Sequence, residues 1–120
     1  MLTMVTTKRM VAATSLALVI GASGSLAAAG QDDAVKRGQE VYAAQKCSVC
    51  HAIAGKGNKQ NPLDGVGTKL TADEIRQWIV NPTEMTKKTK STKKPPMPAK
   101  YGKLPKEELD ALVAYMQSLK

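Results

Sequence analysis

Two cysteines and a histidine form the stretch of this sequence whose residue types and spacing are best suited to chemistry. They stand in the run Cys47-Ser48-Val49-Cys50-His51, and the chain has no other cysteine or histidine. Side chains at i and i+3 of one helical turn point the same way, so two thiols at this spacing can each bond an edge carbon of a porphyrin. Cys-x-x-Cys-His is the attachment signature of covalently bound haem. The motif therefore predicts one haem c held by Cys47 and Cys50, with His51 on the iron.

Three other interpretations of the two cysteines remain open. A disulfide between them would close a very small loop, gain little stability and leave His51 unexplained. A thiol oxidoreductase would place the dithiol near a βαβ pattern, which this sequence lacks. A structural zinc site usually takes four cysteine or histidine ligands, and the chain has three such residues.

The N-terminal residues have the three parts of a secretory signal peptide. Lys8-Arg9 is followed by an uncharged, mostly apolar run over 10–20 and then by small residues ending in Ala27-Ala28-Ala29. The apolar run is shorter than the roughly 20 residues that a membrane-spanning helix needs. The sequence therefore predicts a cleaved signal peptide over 1–29, a mature domain over 30–120, export to the periplasm and no permanent membrane anchor.

Length and composition allow one small domain that gains from a bound cofactor. The chain has 120 residues and a formal net charge of +8, and aromatic residues make up only 3% of it. Such a chain has few bulky side chains with which to build a core. Its glycine- and proline-containing loops are long for a compact domain unless they wrap something.

Hydrophobic spacing predicts three helices joined by these loops, which is an all-α fold. The first is expected over about 33–46, and the second over 72–80 after the capping box Thr71-Ala72-Asp73-Glu74. The third opens at Pro105 and carries apolar residues at helical spacing. The region 47–70 is expected to be loop. After one short turn at 81–84, so is the lysine- and proline-rich stretch 86–98.

From about residue 34 to 119 the chain resembles the class I c-type cytochromes, the small monohaem cytochromes of the bacterial periplasm. Besides the haem motif, the resemblance rests on Gly38 and Tyr42 in the first helix and Leu112 and Tyr115 in the last. In that family, a small residue and an aromatic residue at this spacing pack against an apolar and aromatic pair where the terminal helices cross. The resemblance implies the cytochrome c fold, three main helices and long loops around one haem.

The resemblance also implies roles for three further residues. Met97, in Pro95-Pro96-Met97-Pro98, stands where the family places the second axial ligand; Met85 and an open sixth position are the alternatives. Pro62 or its neighbour would supply the carbonyl that accepts a hydrogen bond from the axial histidine. Trp78 would contact a haem propionate, or else be an ordinary core residue.

These features predict an electron-transfer protein rather than an enzyme. With His51 and Met97 both on iron, no site is open for oxygen or peroxide. The alternative is a c-type haem protein with an open or labile sixth site that acts as a gas sensor or weak peroxidase.

The charge distribution favours acidic redox partner proteins, namely an oxidase, a reductase or a dehydrogenase. Eight lysines and no acidic residue stand between Met85 and Lys106, and a positive rim at the haem edge would steer an acidic partner. A basic loop that only aids solubility is the alternative. The eight lysines are Lys87, Lys88, Lys90, Lys93, Lys94, Lys100, Lys103 and Lys106.

The chain is expected to be a monomer or a subunit of a hetero-complex. Nucleic acid is not an expected partner, because the run of lysines over 87–94 has no aromatic residue within it and the protein is expected to be exported.

Overall fold

The computed structural model describes residues 25–120, which fold into helices and one small sheet. The five helices are α1 (Ser25–Ala44), α2 (Val66–Lys69), α3 (Ala72–Val80), α4 (Pro82–Thr89) and α5 (Lys106–Ser118). The two strands are β1 (Ala52–Ile53) and β2 (Lys56–Gly57), and short 3-10 helices cover Cys47–Val49 and Ala99–Lys103. The predicted all-α class is confirmed.

The first helix is longer at its N-terminal end than predicted. We expected it to begin near residue 33, but α1 begins at Ser25. The run Leu26-Ala27-Ala28-Ala29 consists of the strongest helix formers, so the helix includes it. Residues 1–24 of the predicted signal peptide lie outside the described residues, and its cleavage after Ala29 stays a prediction.

Helices α1 and α5 cross at close range, as the resemblance implied. Gly38 is buried, and a Cβ added there would overlap the carbonyl oxygen of Ala111. One turn later, the rings of Tyr42 and Tyr115 meet edge to face, with centroids 5.8 Å apart. A glycine at the crossing therefore lets the two backbones approach, and an aromatic pair packs beside it.

The core lies between α1, α3 and α5. Helix α3 begins with the predicted capping box: the Thr71 side chain accepts from the Glu74 N–H, and the Glu74 carboxylate accepts from the Thr71 N–H at 2.8 Å. Pro105, which we expected at the first position of the last helix, is its N-cap, so α5 begins one residue later than predicted. The buried residues of the core cluster are Val41, Ile75, Ile79, Leu109, Leu112, Val113 and Met116.

The fourth helix corrects the prediction of a short turn followed by an exposed loop. Helix α4 spans Pro82–Thr89 and therefore includes the first four residues of the predicted loop. Pro82, at its first position, and Met85 are both buried, so one face of the helix packs against the protein although the sequence around it is polar. The helix ends at Lys90, which adopts the left-handed conformation with φ 54°.

A small hairpin interrupts the predicted loop over 47–70. Ala52 pairs with Gly57 and Ile53 with Lys56 in antiparallel register. The turn residues Ala54 and Gly55 have φ of 51° and 75°, as a two-residue hairpin turn requires. Strands of two residues are too short for an alternating pattern, which is why the sequence did not show them.

Candidate functional site

The two cysteines lie on a tight turn just after α1. The 3-10 helix Cys47–Val49 follows Lys46, which is left-handed, and the N–H groups of Cys50 and His51 both donate to the Cys47 carbonyl, at 3.1 and 2.9 Å. Cys47 is half-buried and Cys50 is exposed, and no disulfide joins them. Burial raises the pKa of the Cys47 thiol above its usual range.

The His51 ring is held by a backbone carbonyl. Its Nδ1 lies 3.2 Å from the carbonyl oxygen of Asn61. Burial lowers the pKa of His51 and outweighs the opposite effect of this hydrogen bond, so the neutral imidazole is favoured. With the proton on Nδ1 donated to Asn61, the other nitrogen, Nε2, keeps its lone pair for a metal.

The carbonyl beside His51 belongs to Asn61 and not to Pro62. The Ala52 N–H donates to the Asn61 carbonyl at 3.2 Å, and the Leu63 N–H donates to the Ala52 carbonyl at 2.8 Å, so Ala52 and Pro62 form a bridge. This pairing turns the Asn61 carbonyl toward β1, where His51 also reaches it. Of the two acceptors considered from the sequence, the neighbour of Pro62 is therefore the one in place.

The hairpin supports the backbone of the same histidine. The Asn58 N–H donates to the carbonyl of His51 at 3.0 Å and to that of Ser48 at 3.1 Å. Gly57, with φ 107°, lies so close that a Cβ there would overlap the His51 carbonyl oxygen. Only glycine fits this position, where a positive φ and a close approach coincide.

A cavity of about 550 Å³ opens beside the Cys47–His51 turn. That volume is within the range of ligand and cofactor pockets. Of the six residues singled out from the sequence, five line it: Cys47, Cys50, His51, Trp78 and Met97; Pro62 does not. Much of the remaining wall is apolar and includes Leu63, Val66, Leu70, Ile75, Ile79, Leu112 and Met116.

The methionines differ in their relation to this cavity. Met97 lies in its wall and is half-buried on the loop before the 3-10 helix Ala99–Lys103. Met85 is 7% exposed, lies on the buried face of α4 and is not part of the wall. Met116 reaches the wall from the buried face of α5, where it is part of the core cluster. Among residues 25–120, two methionines therefore line the cavity, Met97 and Met116. Of these, Met116 is a buried member of the core cluster and Met97 is not.

Two aromatic side chains of the wall have polar groups without a protein partner. The half-buried Trp78 has no hydrogen bond to its indole N–H within residues 25–120. Among the same residues, the buried Tyr42 hydroxyl also has none. Burial, and next the charge of Cys47, raise the pKa of Tyr42 to about 12, so its phenol stays protonated. Sequence reasoning placed Tyr42 only at the helix crossing and missed its place in the cavity wall.

Three lysines line the cavity, and they come from both sides of it. Lys46 precedes the cysteine turn, whereas Lys93 and Lys100 are two of the eight lysines that follow Met85, a set we call the lysine-rich stretch from here on. Other lysines of that stretch are engaged elsewhere: Lys87 pairs with Glu84 at 3.1 Å, and Lys106 with Asp110. The cavity thus has positive charge beside an apolar interior, but only part of the lysine-rich stretch supplies it.

The residues of the cavity fit a haem. Two thiols, an imidazole with a free nitrogen and a thioether sulfur face one largely apolar space. Imidazole and thioether are known ligands of haem iron. A porphyrin with its iron would bring together all four of these side chains, which an ordinary small ligand would leave unexplained.

No helix within residues 25–120 is long and apolar enough to cross a membrane. Searches of curated proteins and of solved structures give no match to the chain. A family model described as Cytochrome c matches residues 35–120, which include the cysteine turn, the cavity and all of α5. The chain belongs to the cytochrome c family, and so has the all-α cytochrome c fold and binds covalently attached haem c, typically one per domain.

Proposed function

We propose that this protein is a class I c-type cytochrome that carries single electrons between redox partner proteins. In this proposal, thioether bonds join Cys47 and Cys50 to the haem, and His51 and Met97 are the two axial ligands of its iron. The observation that carries the proposal is the presence of all four side chains on the wall of one cavity. Membership of the cytochrome c family supports the coarser part, haem binding and electron transfer.

The protein side chains hold and tune the cofactor. When bound, the haem supplies a one-electron exchange between ferrous and ferric iron. The Asn61 carbonyl fixes the ring orientation of His51 and leaves Nε2 as the ligand atom. The apolar wall disfavours the additional positive charge of the ferric state, and a thioether ligand favours ferrous iron, so both raise the reduction potential.

Two ligands from the protein would leave no site open for an external one. This arrangement favours electron transfer over the alternative of a gas sensor or weak peroxidase, which needs the sixth position to be open or labile. Trp78 has a free indole N–H in the wall and is our candidate for the propionate contact.

The test is the visible spectrum of the purified, reduced holoprotein before and after addition of carbon monoxide. We expect a low-spin ferrous spectrum that does not change when carbon monoxide is mixed in, because His51 and Met97 fill both axial positions and carbon monoxide could bind only slowly, as Met97 leaves the iron. An immediate shift with carbon monoxide would contradict the proposed ligation and support the sensor or peroxidase. Absence of any haem band would contradict haem attachment and favour a thiol function for Cys47 and Cys50.

The partners we propose are acidic redox proteins, and the compartment is the periplasm. Lys46, Lys93 and Lys100 line the cavity, and positive charge there would steer an acidic partner toward the haem. A free carrier and the haem subunit of a dehydrogenase share these features. Co-purification of a larger partner at low salt would favour the subunit. Mass spectrometry of the exported protein, with an N-terminus at residue 30, would support the predicted signal peptide.

A further inference from the structure

One hydrogen bond joins the two loops that flank the cavity. The Nζ of Lys93 donates to the backbone carbonyl of Gln60 at 3.1 Å, across 33 positions of sequence. Lys93 lies on the loop between α4 and the 3-10 helix Ala99–Lys103, and Gln60 lies on the loop after β2. We call this contact the Lys93–Gln60 strap.

Each end of the strap is close in sequence to a proposed axial ligand or its support. Gln60 directly precedes Asn61, whose carbonyl lies 3.2 Å from His51 Nδ1. Lys93 stands four positions before Met97 and lines the same cavity. The strap therefore ties the segment that orients His51 to the segment that carries Met97.

Apart from the packing of Met97 against the core cluster and the bond from the Ser91 N–H to the Thr86 carbonyl, the Met97 loop has few other attachments. Most of residues 91–98 are exposed, and the Lys93 N–H reaches the Ser91 hydroxyl only at 3.4 Å, within the same loop. Segments with few buried contacts and few hydrogen bonds open at low cost in free energy. A single bond to the opposite loop should therefore have a measurable effect on how often this loop opens.

We propose that Lys93 is a positioning residue, whose bond to the Gln60 carbonyl holds the Met97 loop against the cavity and limits its opening. The inference rests on the proposed ligation by Met97 and adds a specific role for one lysine of the stretch. It separates Lys93 from its neighbour Lys94, which is exposed, does not line the cavity and makes no ion pair or side-chain hydrogen bond within residues 25–120.

The test compares Lys93→Met with Lys94→Met in the holoprotein, because both remove one positive charge from the same loop. The first measurement is the rate at which carbon monoxide binds the reduced protein, which rises when Met97 leaves the iron more often. We expect a roughly fivefold increase for Lys93→Met, which corresponds to about 1 kcal/mol, the net contribution of a typical hydrogen bond, because the exposed Lys93 side chain is hydrated on both sides of the equilibrium. Lys94→Met should match the wild type, and Lys93→Arg, which keeps a cationic donor, should restore most of the wild-type behaviour.

The second measurement is hydrogen exchange of the backbone N–H groups of residues 90–94 and of Met97, since Pro95, Pro96 and Pro98 have none. We expect faster exchange in Lys93→Met, confined to this loop, and no change in Lys94→Met. If the two variants have equal hydrogen exchange and equal rates of carbon monoxide binding, the positioning role of Lys93 is wrong. The proposed ligation by Met97 would not be affected by that result. Faster exchange throughout α1 and α5 would also overturn the positioning role, since Lys93 would then stabilise the fold in general.

The failure of the ligation itself has a different signature. If the wild-type protein binds carbon monoxide at once, Met97 does not hold the iron and the role of Lys93 toward it is wrong as well. Hydrogen exchange would still show whether the Lys93–Gln60 contact restrains the loop.

Discussion

Met97 and Met85 are separated by 12 positions in sequence and by their surroundings in the structure. Met97 is half-buried in the wall that it shares with His51, whereas Met85 is 7% exposed and lies on the buried face of α4. Both stand near the lysine-rich stretch, so sequence position alone does not distinguish them. Their surroundings do, because a ligand must face the cavity and a packing residue need not.

Replacement of Met97 by alanine tests this distinction. We expect Met97→Ala to lower the reduction potential by on the order of 0.1 V, a fraction of the roughly 0.8 V over which axial ligands tune haem. The reduced variant should also bind carbon monoxide. Redox titration followed in the visible spectrum measures the first effect.

Met85→Leu is the matched control, since it changes a methionine of similar position that does not face the cavity. It should keep the wild-type potential and cost less than about 1.5 kcal/mol of stability, as volume-conserving core changes do. A potential that fell in Met85→Leu and not in Met97→Ala would reverse the assignment.

At this scale the sequence predicted which reactive side chains come together but not every atom around them. The spacing of Cys47, Cys50 and His51 is local, so it determines their placement on one turn. The acceptor for His51 depends on how the backbone around Pro62 pairs with β1, and that pairing is tertiary. The sequence therefore predicted only Pro62 or a neighbour of it as the acceptor, and not which neighbour.

Among the elements, the crossing of α1 and α5 depends on the missing side chain at Gly38. An added Cβ would overlap the Ala111 carbonyl, and both backbones belong to helices that cannot yield locally. We expect Gly38→Ala to destabilise the protein by about 1 to 3 kcal/mol, the usual cost of overpacking. Denaturant unfolding of the holoprotein measures this.

The control for that variant is Gln39→Ala, at the exposed neighbouring position of the same helix. It should change stability by less than about 0.5 kcal/mol. A Gly38→Ala protein as stable as the wild type would mean that the helices do not approach as closely as described.

At the end of α4, a substitution is expected to stabilise the protein, in contrast to Gly38→Ala. Lys90 is left-handed at φ 54°, and the Ser91 N–H donates to the Thr86 carbonyl at 3.1 Å, as at helix ends that usually carry glycine. We expect Lys90→Gly to stabilise the protein by about 0.5 to 1 kcal/mol, because glycine adopts this conformation without strain.

Lys88→Gly, two positions earlier and inside the same helix, should instead cost about 1 kcal/mol. Thermal unfolding of the two variants compares them directly. Equal shifts in both would show that the left-handed cap at Lys90 is not formed in solution.

Elements with regular signals were predictable and short polar ones were not. The Thr71–Glu74 capping box and the apolar spacing of α5 predicted α3 and α5 close to their observed bounds. Helix α4 was missed because it buries little more than Pro82 and Met85, and its end lacks glycine. In these cases tertiary packing, rather than local pattern, determines the structure.

For the whole molecule, the distribution of charge has more consequence than the formal net charge of +8. Three of the six acidic residues on α1 and α5 are paired: Arg37 bridges Glu40 and Glu108, and Arg76 reaches Asp110 at 2.6 Å. Lys46 and Lys100 line the cavity and have no ion-pair partner within residues 25–120. An approaching reactant therefore meets mainly positive charge at the cavity.

Small redox probes of opposite charge test this field without a natural partner. We expect oxidation of the reduced protein by ferricyanide, an anion, to slow about tenfold as ionic strength rises from about 0.01 to 0.15 M. Oxidation by a cobalt tris-phenanthroline cation should become faster over the same range, since salt screens its repulsion. Stopped-flow absorbance measures both rates, and the same trend for the two probes would contradict a positive field at the cavity.

Trp78 has a practical consequence, because it is the single tryptophan of the chain and it lies in the cavity wall. An indole emits light in the range where a porphyrin absorbs. A porphyrin in that space would therefore accept the excitation energy of Trp78 and quench its fluorescence. The intensity of tryptophan fluorescence therefore reports on haem attachment and on folding. The polypeptide without its cofactor would fluoresce, and the protein with haem would regain fluorescence only when it unfolds and Trp78 moves away from the porphyrin.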